Sequence, residues 1–138
     1  PEGFYRLNVV EYGYETFSGE PVTLPFPSYL TIPVDLDGDG YHEFARAGGE
    51  QADRKIYDIK GNVIGDIGET GYLAMASHFM DLPGEQRLCY YPDGTVKIWA
   101  DNNASDSPRA KSRYENPFYR VNMILSATGY NLIVLGGI

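Results

Sequence analysis

Wherever this chain shows a regular pattern of apolar and polar positions, the period is two. Phe4 to Tyr14 carries Tyr5, Leu7, Val9, Val10, Tyr12 and Tyr14 in the odd–even alternation of a half-buried strand. Ser18-Gly19-Glu20-Pro21 signals a turn, and Val22 to Phe26 reads as a short strand confined by Pro25 and Pro27. Further strands are predicted near 29–35, 43–47, 54–59 and 62–66, then near 72–81, 86–91 and 95–100. Pro92-Asp93-Gly94-Thr95 joins two of them as a hairpin, since Asp-Gly reaches positive φ at little cost. Phe118 to Leu125 is expected to add an outer strand, and Tyr130 to Leu135 a closing one. Leu73 to Met80 comes nearest to a helical pattern, but Gly71 and the β-rich surroundings argue against it. No credible amphipathic helix is predicted anywhere, so the expected fold class is all-β.

The polar run from Asp101 to Arg113 reads as an exposed loop. It contains Asn103-Ala104-Ser105, a glycosylation acceptor if the protein is secreted by a eukaryote. Composition agrees with many short strands and turns: 16 Gly, 9 Pro and 12 Tyr in 138 residues. That length allows one domain with a modest core. A net charge of −8 makes a nucleic-acid backbone or an anionic membrane an improbable partner. Nothing approaches the roughly 20 apolar residues of a membrane span. Cys89 is the single cysteine, which excludes an intrachain disulfide and any CxxC motif. The chain starts at Pro1 with no signal peptide, as a mature, trimmed or excised segment would.

One stretch carries candidate chemistry, Asp35-Leu36-Asp37-Gly38-Asp39-Gly40-Tyr41-His42-Glu43. Hard cations take oxygen ligands, and Asp35, Asp37 and Asp39 offer carboxylates at positions 1, 3 and 5 of such a loop, with Gly40 at the sharp turn. The backbone carbonyl of Tyr41 stands at position 7 and the carboxylate of Glu43 at position 9. An EF-hand asks for Glu at position 12, where Arg46 stands, and for flanking helices, where the flanks are β-like. The expectation is a Ca²⁺ loop between two strands, closed by Glu43, with His42 pointing away into solvent. The competing reading is an acidic surface turn.

A second copy is expected 46 residues on, where Asp81-Leu82-Pro83-Gly84 lines up with Asp35-Leu36-Asp37-Gly38 and Val96-Lys97-Ile98-Trp99 echoes Arg54-Lys55-Ile56-Tyr57. Pro83, Glu85 and Gln86 stand where the first loop has carboxylates at positions 3 and 5 and Gly at 6, so only Asp81 and Glu85 could ligate, Gln86 is expected to resist the tight turn, and the second loop is a relic. A period in the forties with several strands per unit is a propeller-blade signature. The division that follows is a blade with the Ca²⁺ loop at about 29–66, a degenerate blade at about 72–125, and a closing strand at about 130–135. Two blades do not close a ring, so a C-terminal fragment of a larger propeller is expected.

The Asp-x-Asp-Gly-Asp-Gly-x-x-Glu loop between strands resembles the calcium loop of FG-GAP-type β-propeller repeats. The run from Asp81 to Trp99 and the tail from Asn116 to Ile138 are similar to the C-terminal blades of rhamnogalacturonan-lyase-like polysaccharide lyases, with Leu88 where that pattern has Glu. This resemblance implies a secreted or periplasmic protein acting by β-elimination on uronate-containing polysaccharide, completed by further blades from its own or another chain. Such chemistry needs a neutraliser for the carboxylate, a base for the C5 proton and an acid for the leaving oxygen. On that basis His78, on an expected innermost strand, is the catalytic candidate, against the plainer reading of a packed or solvated channel residue. The alternative function is a non-catalytic module, stabilised by Ca²⁺, that binds carbohydrate or protein.

Overall fold

A computed structural model of the chain describes residues 6–8, 13–15, 18–26, 31–46, 53–68 and 70–127. The expected strand at 130–135 lies outside them. Strands β1 (Arg6–Asn8), β2 (Gly13–Glu15) and β3 (Pro21–Val22) form one antiparallel sheet. The segment read as a single strand is thus a pair folded back on itself, Arg6 opposite Glu15 and Asn8 opposite Gly13, which lets each strand satisfy the other's backbone groups.

The second sheet is a four-stranded meander of β4 (Thr31–Val34), β5 (Glu43–Arg46), β6 (Lys55–Tyr57) and β7 (Val63–Asp66). The third runs β8 (Tyr72–Ser77), β9 (Gln86–Tyr90) and β10 (Val96–Trp99), again with neighbours in sequence paired. The β9–β10 turn is the expected one. Gly94 sits at φ 84°, Tyr91 N–H donates to the Thr95 carbonyl, and Asp93 accepts from Thr95 N–H.

These two sheets stack around one core of Val34, Leu36, Ala45 and Ile56, with Ile67 beside them, against Leu73 and Cys89. Side chains alternate across a strand, so the pairings fix which face is which. Val34 opposite Glu43 and Ile32 opposite Ala45 define one face of the four-stranded sheet. Ser77 opposite Gln86 and Met75 opposite Leu88 define one face of the three-stranded sheet. Each of these latter residues follows its counterpart (Val34, Glu43, Ile32, Ala45) by 43 positions. The two strand–loop–strand units therefore superpose in register at 43 residues and not at the expected 46. Leu73 and Cys89, which enter the core, belong to the opposite face of the three-stranded sheet. The sheets consequently pack front to back. No closed ring is formed by the described residues.

The largest departure from expectation is helical. Residues 108–115 form α1 (Pro108–Glu115) and residues 117–127 form α2 (Pro117–Ala127), where an exposed loop and an outer strand were expected. Ser107 caps α1 by accepting from Ala110 N–H, and Pro108 occupies the first turn, where it forfeits no hydrogen bond. Asn116 repeats the device, accepting from Phe118 N–H ahead of Pro117. Exposed Phe118, Val121, Ile124 and Leu125 recur at helical intervals. No helix among the described residues is long and apolar enough to cross a membrane.

Candidate metal centre

The loop between β4 and β5 brings three of the four expected carboxylates together; Glu43 is not among them. Ligand oxygens of Asp35, Asp37 and Asp39 lie within 4.8 Å of one another. Local chemistry explains the shape. Asp35, fully buried, accepts the N–H groups of Gly38 and Gly40, each at 3.0 Å. Those glycines take φ 79° and 94°, a region that a side chain disfavours. Asp37 accepts from Asp39 N–H at 3.0 Å, Asp39 accepts from Tyr41 N–H at 2.7 Å, and Glu43 reaches back to Leu36 N–H at 2.9 Å. Each carboxylate thus orders the backbone that presents the next.

The loop concentrates negative charge. Burial pushes the Asp35 carboxyl up to about 6 against the pull of Arg113, with the charges of Glu85 and Asp39 adding to the rise. Burial likewise pushes Glu43 up to about 7, opposed by its bond from Leu36 and reinforced by Asp37, Asp35 and Asp39. His42, expected in solvent, is half-buried. Burial and the charges of Arg113 and Arg109 hold it down at about 4, so it is neutral near pH 7. The donor set is all oxygen, as a hard cation requires, and the Asp35, Asp37 and Asp39 cluster could hold a metal ion.

The polar run is exposed at Asp101, Asn102 and Asn103, as expected, but its end, residues 104–107, lies against the outer side of the Asp35–Glu43 loop. Ser105 N–H donates to the Asp37 carbonyl at 2.9 Å and Ser107 N–H to the Gly38 carbonyl at 2.8 Å. From α1, Arg109 Nε donates to the Gly40 carbonyl at 2.8 Å, and its guanidinium stands 4.5 Å from the Tyr41 ring centre. Arg113, almost wholly buried, donates to Asp35 Oδ2 at 2.8 Å and to the Gly40 carbonyl at 2.5 Å. Neither arginine was singled out from sequence. An Arg–x–x–x–Arg spacing is a usable signal only once the segment is known to be helical.

The loop between β8 and β9 keeps the architecture without the carboxylates. Gln86, at the position of Glu43, accepts from Phe79 N–H as Glu43 does from Leu36, and also from Met80 N–H. Its amide donates to the carbonyls of Leu82 and Gly84. Far from resisting the turn, Gln86 holds it. Glu85 faces away from Asp81's loop and toward the Asp35–Glu43 loop. Its carboxylate accepts from Asp35 N–H at 2.8 Å and from the Tyr119 hydroxyl at 2.6 Å.

His78 follows the end of β8 and occupies the position equivalent to Asp35. Its ring stacks on Tyr114 with centroids 4.0 Å apart and planes 16° from parallel. It lines an open depression of about 310 Å³ with Asp81, Asp106, Lys111, Tyr114 and Glu115. The Tyr114 hydroxyl is held above its ordinary range, first by burial and then by the charges of Asp35 and Glu85. Half-buried Tyr119, whose hydroxyl receives His78 N–H at 2.7 Å and Ser77 Oγ–H at 2.9 Å, is shifted the same way by burial and by Glu85.

No protein-family model matches this chain, and neither curated proteins nor solved structures gave a match.

Proposed function

We propose that this chain is a non-catalytic β-repeat module, stabilised by one Ca²⁺ in the Asp35–Glu43 loop, within a larger assembly outside the cytoplasm. The observation that carries this reading is the convergence of the Asp35, Asp37 and Asp39 carboxylates within 4.8 Å on a turn built by Gly38 and Gly40. Asp35, Asp37, Asp39, Glu43 and the carbonyl of Tyr41 are the ligands. The ion supplies positive charge that offsets the repulsion of these acids and pins β4 to β5.

The repeat register supports a further unit as partner. Leu88 and Ile98, opposite each other, are equivalent to Ala45 and Ile56, which are buried in the core. Ile98 and its neighbours Val96 and Tyr90 are exposed, so the β10 side of the face that buries the first sheet stands open on the second, while Met75, Ser77 and Gln86 at its other side are buried. A following blade of a propeller is the proposed occupant, and glycan or protein the proposed ligand of the completed assembly.

A polysaccharide lyase is the second reading, because His78 stands beside Lys111 and Tyr114 in an open depression. Charge counts against it. Asp81, Asp106 and Glu115 outnumber Lys111 there, and a uronate polymer would meet net repulsion.

The test is thermal melting in 10 mM Ca²⁺ and in chelator, with Asp37→Ala in parallel and with uronate polysaccharide assayed for unsaturated product. A rise of about 5 °C in the wild type that Asp37→Ala abolishes, with no product formed, supports the module. Absence of any Ca²⁺ effect refutes it. Product formation that falls on His78→Ala favours the lyase.

A further inference from the structure

The Asp35 carboxylate is shared between the cation loop and a cation the chain already owns. Arg113 is 4% exposed and Asp35 0%, and their N–O separation is 2.8 Å. The same guanidinium holds the Gly40 carbonyl at 2.5 Å, so it spans the first and sixth positions of the loop. Taking the calcium reading above as its premise, we propose that Arg113 is a resident counter-cation of the loop. It keeps Asp35 neutralised and the loop folded without metal, and by the same charge it weakens divalent binding.

Two physical arguments fix the signs. A buried carboxylate deprived of its partner is strongly destabilising, because desolvation is then uncompensated. Arg113 therefore stabilises the metal-free fold. A divalent ion drawn to the other side of that carboxylate meets the guanidinium as a like charge in a poorly screened setting. Arg113 therefore opposes the ion. Loss of loop order does not reverse this second sign, because the loop has other anchors. Its carbonyls at Asp37 and Gly38 are held by the backbone of Ser105 and Ser107, and the Gly40 carbonyl keeps Arg109. The Gly38 and Gly40 N–H groups still bind Asp35, and Glu85 still holds Asp35 N–H.

The inference assigns the loop a weak site, with a Kd of about 10⁻⁴ to 10⁻³ M, the range of extracellular modules. Arg113 is thus a positioning and affinity-setting residue, and it couples α1 to the metal. Because linkage is reciprocal, Ca²⁺ loosens the hold of Arg113 on Asp35 by the same factor that Arg113 weakens Ca²⁺.

The experiment is Arg113→Met, with melting in chelator and calorimetric titration with CaCl₂. The expected result is a pair of opposite changes: a lower metal-free melting temperature and Ca²⁺ binding tighter by about tenfold or more. A merely structural arginine would lower both stability and affinity. Affinity unchanged or weakened in Arg113→Met, in a background where the wild type binds, overturns the inference and leaves the calcium reading standing. A wild type that binds no Ca²⁺ defeats both. If Arg113→Met does not fold even with Ca²⁺, exposed Arg109→Gln decides: binding tighter by a few-fold upholds the inference, and unchanged or weaker binding overturns it.

Discussion

Asp35 and Glu85 hold each other by a reciprocal pair of hydrogen bonds. Asp35 N–H donates to the Glu85 carboxylate at 2.8 Å, and Glu85 N–H donates to the Asp35 carbonyl at 2.7 Å. The first residue of the cation loop is thereby tied to the second loop, 50 residues away, with both side chains buried. Glu85 passes the connection on to Tyr119 of α2, while Arg113 of α1 takes the Asp35 side chain. Two sheets and two helices meet on this pair.

Removal of Glu85 should accordingly cost far more than a surface carboxylate would. Glu85→Ala leaves Asp35 N–H without its side-chain acceptor and strips the Tyr119 hydroxyl of its own. A loss of about 3 kcal/mol in urea unfolding is expected. Glu85→Gln should lose roughly half of that, since an amide oxygen can still accept from Asp35 while Tyr119 gains a competing donor. Equal, negligible losses in both variants would contradict the assigned contacts.

Glycine positions give a paired comparison. A Cβ on Gly84 would stand 2.3 Å from the Leu36 carbonyl oxygen, at φ 69°, whereas one on Gly94 would meet nothing within 4 Å, at φ 84°. Both alanine variants suffer the left-handed conformation, worth roughly 1–2 kcal/mol. Only Gly84→Ala must also push the two loops apart, so its loss of stability should exceed that of Gly94→Ala by at least about 2 kcal/mol. Chemical denaturation of the two variants side by side reads the difference.

How far the sequence announced this arrangement depends on the range of each signal. The strands of both central sheets and the turn at Asp93-Gly94 are legible, because alternation and turn chemistry are local. The same holds for the carboxylate loop, whose acidic residues are near neighbours from Asp35 to Glu43. The helices were missed because the residues from Asp101 to Arg113 look like a loop and Phe118 to Leu125 like an apolar strand. The signal that could have found them was Ser107-Pro108 and Asn116-Pro117, each a cap followed by a first-turn proline. The 46-residue alignment failed for another reason. It matched Asp81 to Asp35 by letter, whereas the ladder matches Gln86 to Glu43 by role. Contacts such as Arg113 to Asp35, 78 residues apart, leave no trace in local pattern.

Cys89 tests the packing of the two sheets. Its thiol is 0% exposed, and burial raises its pKa, with the nearby Arg87 charge pulling the other way. The thiolate is the reactive form. A thiol reagent such as DTNB at pH 8 should leave the folded protein unmodified for hours and label it at once in 6 M guanidinium chloride. Rapid labelling without denaturant would mean that the core between the sheets opens readily.

The most incisive measurement is calorimetric titration of the chelator-treated protein with CaCl₂, repeated with MgCl₂ and on Asp37→Ala. The loop geometry predicts one Ca²⁺ per chain with a Kd of about 10⁻⁴ to 10⁻³ M, weaker binding of Mg²⁺, and no binding by Asp37→Ala. No heat of binding in the wild type, or a stoichiometric site that survives Asp37→Ala unchanged, would contradict the assignment of Asp35, Asp37 and Asp39 as a calcium centre.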